Sequence, residues 1–281
     1  MAEAIDPCAA LVRDFDRDRY LATLFAPADR RPHLFALYAF NVEISRIRDV
    51  IREALTGEIR MQWWRETVEG KRDGEAAAHP VASRLLATIE ANALPRQAFL
   101  DLMESRIFDL YNDPMPTTHD LEGYCGETAS ALIRLAMIIL MNGRDAGAAD
   151  AAGHAGVAQG VTGILRSLPL HRRRGQCYIP RDFLVRHDAA PEDLVAGREP
   201  ERLAATLGDL RGVARSHLEK ARAFADSIPS EARPAFLPVS LVEGDLDRMD
   251  RTTTESLNEV IETPLWRRQI RLWHAARRGR F

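Results

Sequence analysis

The stretch HLFALYAFNVEISRIRD, residues 33–49, fixes the class of architecture. Leu34, Leu37, Phe40, Ile44, Ile47 and Ile51 follow one another in steps of three and four, which draws an apolar stripe along one face of an α-helix. Beside it runs a polar stripe, Tyr38, Asn41, Ser45 and Asp49. Polar groups next to a core face need hydrogen-bond partners or water. The second stripe is therefore either the wall of a cleft or the edge where the helix grades into solvent.

Outward from this helix the same spacing recurs almost throughout, and alternating β-branched runs are nearly absent. Helices are expected at 8–20, 29–54, 57–72, 79–92, 96–111, 118–142, 147–168, 200–228, 231–247 and 258–277. Pro27, Gly57, Pro95, Pro114, Pro116, Pro169 and Pro229 punctuate them. The stretch 169–200 carries Pro169, Gly175, Pro180, Pro191, Gly197 and Pro200, and reads as a flexible surface excursion. The expected fold is all-α, a single-domain helical bundle over residues 1–281.

Across the 281 residues, 41 Asp and Glu stand against 38 Lys and Arg, a balance that argues against a generally basic nucleic-acid binder. Only Lys71 and Lys220 among the basic residues are lysine; arginine supplies the rest, with its planar fork for carboxylates and phosphates. Cys8, Cys125 and Cys177 are far apart and suggest neither a disulfide framework nor a zinc site. The opening residues lack a long apolar run, so no secretory signal is expected. The most apolar run, 135–141, is far short of the ~20 residues that span a bilayer. The expected location is cytoplasmic. No H-E-x-x-H, G-x-S-x-G or G-x-x-x-x-G-K-[ST] occurs, which disfavours a zinc protease, a serine hydrolase and a P-loop enzyme.

Helix 147–168 places Gly153, Gly156, Gly160, Gly163 and Ser167 on one face. Each helical glycine costs about 1 kcal/mol against alanine. Either another helix packs there backbone to backbone, or the face lines a cavity. The cluster His171, Arg172, Arg173, Arg174 that follows is a solvated turn or, beside a cleft, an anion site. At the end, PLWRRQIRLWHAARRGRF (264–281) sets Trp266, Ile270 and Trp273 on one helical face among arginines, with no acid. It is either a last bundle helix with a basic outer surface or a helix that docks on an anionic membrane or an acidic partner.

These residues carry a family resemblance. HLFALYAFNVEISRIRD resembles the first signature helix of the squalene and phytoene synthases, and GVAQGVTGILRSLPLHRRRGQCYIPRD (156–182) resembles their second, including R-G-x-x-Y-[LI]-P at Arg174, Gly175, Tyr178, Ile179 and Pro180. YLATLFAPADRR (20–31), Trp64 and LEGYCGETAS (121–130) add to it, so that the likeness runs from about residue 15 to about 245. It implies the isoprenoid synthase fold, with two helices facing each other across a cleft. Active members of the family carry D-x-x-x-D on both helices. The spacing aims two carboxylates into the cleft, and Mg²⁺ held by both walls bridges the diphosphate leaving group. Here the first motif falls on Ser45 and Asp49, with Arg46 where a further acid often follows. The second falls on Ser167 and His171, and Gly163 replaces an asparagine. One carboxylate of four is left, so Mg²⁺-dependent condensation is not expected.

AFNVEI, IRMQWWRETVE (59–69), LRSLPLHRRRGQCYIPRD and HLEKARAFADSIPSEARPAFLPVSLVEGDLDRM (217–249) resemble more specifically the catalytically degenerate members of this family that assist assembly of respiratory complex I. That resemblance implies a non-catalytic role near the inner membrane. The implied partners are complex I subunits or other assembly proteins. From the residues themselves come two further expectations: a lipid or isoprenoid in the cleft, its tail on the glycine face and its head at Arg166 and Arg172–Arg174, and a membrane surface met by residues 264–281. The expected cleft comprises Tyr38, Asn41, Ser45, Asp49, Gly160, Gly163, Arg166, Ser167, His171 and Tyr178, without metal or other cofactor. The alternative is an active prenyltransferase on isoprenoid diphosphates, which would need Mg²⁺. The acids Glu243, Asp245, Asp247 and Asp250 are expected to be solvated or to meet a partner.

Overall fold

In the computed structural model, which describes residues 6–252, 257–261 and 263–281, the three- and four-residue spacing becomes helix; no β-strand occurs among those residues. The principal helices are α1 (Pro7–Phe15), α2 (Arg17–Thr23), α3 (Arg31–Ser45), α4 (Ala54–Val68), α5 (Pro80–Ala91), α6 (Arg96–Arg106), α7 (Thr118–Leu140), α8 (Ala149–Arg166), α9 (Pro200–Ala223), α10 (Val242–Arg251) and α11 (Leu265–Arg278). One hydrophobic cluster runs from Cys8 to Leu257, and a second, smaller one joins Leu272 and Ala275 of α11 to Ala22, Leu237 and Leu241. Phe40 of α3 sits near its centre, edge-on to Trp64 and Phe99 at 5.4 Å each, a geometry that favours aromatic pairs beyond simple burial. All three cysteines are buried and free.

By length and composition α7 could cross a membrane, yet Leu121, Cys125, Leu132, Leu135, Ala136 and Ile139 are buried in the core. The seven-residue apolar run read from the sequence is thus the end of a longer apolar helix. One turn of α7, Gly126–Ser130, is widened to π geometry and packs on α8. Gly156 makes that approach possible, since a methyl group there would overlap the Ser130 backbone. The Ser130 hydroxyl donates to the Gly153 carbonyl at 2.8 Å across the same contact.

Several expected boundaries are corrected. The helix expected at 8–20 divides at Asp16, which caps α2 by accepting from the Arg19 amide at 3.2 Å. The helix expected at 29–54 ends at Ser45; Arg46, at φ −94° and ψ 0°, separates α3 from the short turn Ile47–Val50. The 231–247 helix is replaced by 3₁₀ turns over Ser230–Leu241, because Pro234 and Pro238 lack the amide an α-helix needs, and α10 starts only at Val242. The last helix begins after Pro264 rather than at 258, and residue 262 of its expected span lies outside the described residues.

The expected surface excursion at 169–200 folds into three short helices, Leu168–Arg173, Arg181–Arg186 and Pro191–Ala196. Cys177, Tyr178, Ile179, Phe183, Leu184 and Leu194 within it are buried. Pro169 and Pro191 lie in first helical turns, Pro180 caps the middle helix, and Gly197 at φ +69° stops the last. Proline at helix starts and glycine at helix ends imitate a loop composition while marking short helices.

Candidate functional site

The inner faces of α2, α3, α7 and α8, the segment 171–178 and the start of α11 enclose one cavity of about 890 Å³. Of the ten residues expected in the cleft, Asn41, Ser45, Gly160, Gly163, Arg166, Ser167, His171 and Tyr178 line it, and Tyr38 and Asp49 do not. Tyr38 is buried behind the wall, with the Arg19 guanidinium 5.7 Å from its ring; burial pushes its hydroxyl up to about 12. Asp49 is displaced by the break at Arg46. The four-residue rule holds only while the helix is continuous, and Asp49 turns to the rim and pairs with Arg174 at 2.8 Å.

The glycine face of α8 serves both purposes left open by the sequence. Gly156 and Gly160 face α7, and a methyl group at Gly160 would lie 2.6 Å from the Cys125 sulfur. A methyl group at Gly163 would meet nothing within 4 Å, and Gly163 opens into the cavity.

The floor is a buried polar network centred on Asp109. Its carboxylate accepts from the Tyr124 and Tyr178 hydroxyls at 2.8 and 2.6 Å and from Arg106 at 2.9 Å, while its backbone carbonyl accepts from Gln176 at 2.7 Å. Burial, with the Asp109 charge adding to it, raises the Tyr178 hydroxyl far above its ordinary value, so that it stays a donor. The His171 ring lies 4.5 Å from that of Tyr178, and burial lowers its pKa to about 4, leaving it neutral. Among the described residues, seven buried side-chain polar atoms lack a protein partner; Asn41 Oδ1, Arg48 Nε, Arg106 Nε, His171 Nδ1 and Gln176 Oε1 belong to residues of this one cavity, and Thr67 Oγ1 and Asn92 Oδ1 lie elsewhere. Such groups are costly unless a ligand or water satisfies them. None but Asn41 and His171 was expected from the sequence. Arg106-x-x-Asp109, a pair three apart on one turn, and Gln176 inside the RGQCYIPRD run were the available signals.

The mouth is closed on one side by a second network. Asp18 and Asp245 both accept from Arg166 at 3.3 Å, Arg268 pairs with both, and the Thr263 hydroxyl donates to Asp245 at 2.8 Å. Asp245 is buried, which corrects the expectation that it is solvated: it clamps α11 to α8 and α10.

The chemistry of the wall does not suit the Mg²⁺ cluster that the resemblance brings with it. Asp14, Asp16, Asp18 and Asp109, the carboxylates that line the cavity, are each paired with an arginine. Asp49 is paired in the same way, and seven arginines line the wall against those four aspartates. Among the described residues no group of three His, Cys, Asp or Glu side chains could hold a metal ion. What the wall can do is bind an anion through arginine donors, beside an apolar stretch at Leu132, Ile164 and Gly163.

Comparison with known proteins places the chain by family and fold. The chain is 33% identical over 244 residues to "NADH dehydrogenase (ubiquinone) complex I, assembly factor 6" of Rattus norvegicus, covering 87% of this chain and 73% of that protein. It is 25% identical over 274 residues to a 15-cis-phytoene synthase of Synechocystis sp., covering 93% and 81%. A dehydrosqualene synthase crystallised with a ligand superposes with a TM-score of 0.81 at 19% identity, covering 96% of this chain and 94% of that one, which shows the all-α isoprenoid synthase fold. The squalene/phytoene synthase profile matches residues 12–274, and the chain belongs to the squalene/phytoene synthase family.

Proposed function

We infer that this chain is a non-catalytic member of its family that assists assembly of respiratory complex I, with its cavity kept as a binding site. The observation that carries the non-catalytic part is the Asp49–Arg174 ion pair. The one carboxylate left at the motif positions is already matched by an arginine, and Ser45, Ser167 and His171 hold the other three places. The likeness to complex I assembly factor 6 supports the biological role.

The wall favours a ligand with an anionic head and an apolar tail, a lipid or an isoprenoid. Arg48 and Arg106 each present a buried Nε–H donor without a protein partner, and Arg174 stands at the rim. Neutral His171 can accept or donate one hydrogen bond beside them. The tail would run along Gly163 and Leu132. Without a metal, head-group charge is met by guanidinium groups alone, which bind a diphosphate or phosphate without ionising it as a bridging dication would. Mass spectrometry of lipid extracted from the purified protein should find such an amphiphile, and incubation with farnesyl or geranylgeranyl diphosphate and Mg²⁺ should yield no squalene, phytoene or presqualene product. Appearance of any of these products would establish the prenyltransferase alternative instead.

A further inference from the structure

Helix α11 starts at the mouth of the cavity, where Pro264 and Leu265 are part of the lining. Arg268, Leu272 and Ala275, four and three residues apart, are its buried side chains and hold it against α2 and the turns of Ser230–Leu241. At 100° per residue, Trp266, Ile270, Trp273 and Arg277 occupy the opposite side. The three apolar members are exposed: Trp266 at 57%, Ile270 at 47% and Trp273 at 45%. The sequence had grouped them as an apolar face; the structure turns that face away from the protein.

Its surroundings specify what covers it. The Arg267 guanidinium lies 5.0 Å from the centre of the Trp266 ring, and that of Arg277 lies 4.8 Å from the Trp273 ring. Residues 263–281 contain no acid. Exposed Phe25, at the end of α2, lines a groove together with Trp273 and extends the apolar patch beyond the helix. Indole rings flanked by arginines on the convex side of a helix match the boundary between lipid head groups and acyl chains. There the rings find both an apolar and a polar side, and the guanidinium groups reach phosphates.

We propose that α11 lies flat on an anionic bilayer, with Trp266, Ile270 and Trp273 entering the interface and Arg267, Arg277, Arg278 and Arg280 meeting lipid phosphates. The cavity mouth then opens next to the lipid surface, since Val260 and Leu265, both exposed, lie on its rim. This docking is independent of whether the cavity holds a lipid.

Flotation of the full chain with vesicles tests it. The parent should float with phosphatidylglycerol–phosphatidylcholine vesicles and stay at the bottom with phosphatidylcholine alone, and added salt should weaken binding. W266S/W273S, which alters only outward side chains, should lower the bound-to-free ratio at least about tenfold. R267Q/R277Q should remove most of the preference for the anionic vesicles while keeping the melting temperature of the parent. A parent that ignores anionic vesicles, as a helix docking only on an acidic protein would, overturns the proposal. So does a folded W266S/W273S variant that floats as well as the parent.

Discussion

Asp109 is the residue on which the floor of the cavity depends, because two tyrosines, an arginine and a glutamine converge on it. Removing it in Asp109→Ala leaves the buried Arg106 charge uncompensated and should cost about 3–5 kcal/mol, read from the denaturant midpoint. Tyr178→Phe loses a single buried hydrogen bond and should cost only about 1–2 kcal/mol. His171 carries a pH signature. Burial lowers its pKa from 6.5 to about 4. As pH falls from about 6.5 to about 4, the unfolded chain takes up a proton that the folded chain refuses, so stability falls across that window. His171→Asn should flatten the stability–pH curve there, and lowered His33 and His217 should keep some slope. At this scale the sequence was informative where residues lay in a motif, as with Ser45, Ser167 and Tyr178. It passed over Asp109 and misplaced Asp245 at the solvated surface, because each became a hub only through tertiary contact.

At the scale of elements, α8 shows what its glycines are for. Gly156→Ala forces a methyl group into the Ser130 backbone and should destabilise by about 1–3 kcal/mol. Gly163→Ala meets open space, should raise stability by up to about 1 kcal/mol through helix propensity, and should narrow the cavity. Opposite shifts in melting temperature would confirm the division; equal losses would show that both glycines are packing positions. The existence and type of most helices followed from apolar spacing, since a helix face and its burial are the same fact stated twice. Boundaries did not follow where local chemistry overrode spacing. Pro234 and Pro238 hold the chain in 3₁₀ turns, and Arg46 interrupts a stripe that the isoleucines alone would continue. Asp49 left the expected cleft for that reason, with no change in its own chemistry.

At the scale of the whole molecule, the near-balance of acids and bases conceals a division of labour. The cavity wall holds more arginine than acid, its aspartates are held in ion pairs, and the last helix is basic throughout. The Asp18–Arg166–Asp245–Arg268 network joins that helix to the wall, so the outer surface and the cavity mouth are mechanically one unit. Arg268→Ala should release α11 while leaving the core intact. Hydrogen exchange should accelerate over Leu265–Arg278 and not over α3 or α8. The helical fold was legible in the sequence because it is written in spacing, and the replaced motif carboxylates were legible only through the resemblance to the family's signature helices. The outward turn of Trp266 and Trp273 was not, because an apolar stripe does not say which of two faces the protein will bury.

The central claim is that a squalene/phytoene synthase fold without its metal carboxylates serves complex I assembly. It is tested most directly by measuring rotenone- or piericidin-sensitive NADH:quinone oxidoreductase activity in membranes of the native host with the gene deleted. A marked loss of that activity, restored by the parent gene and equally by Asp49→Asn, is the result expected. Normal complex I activity in the deletion strain, or rescue that requires Asp49, would contradict it.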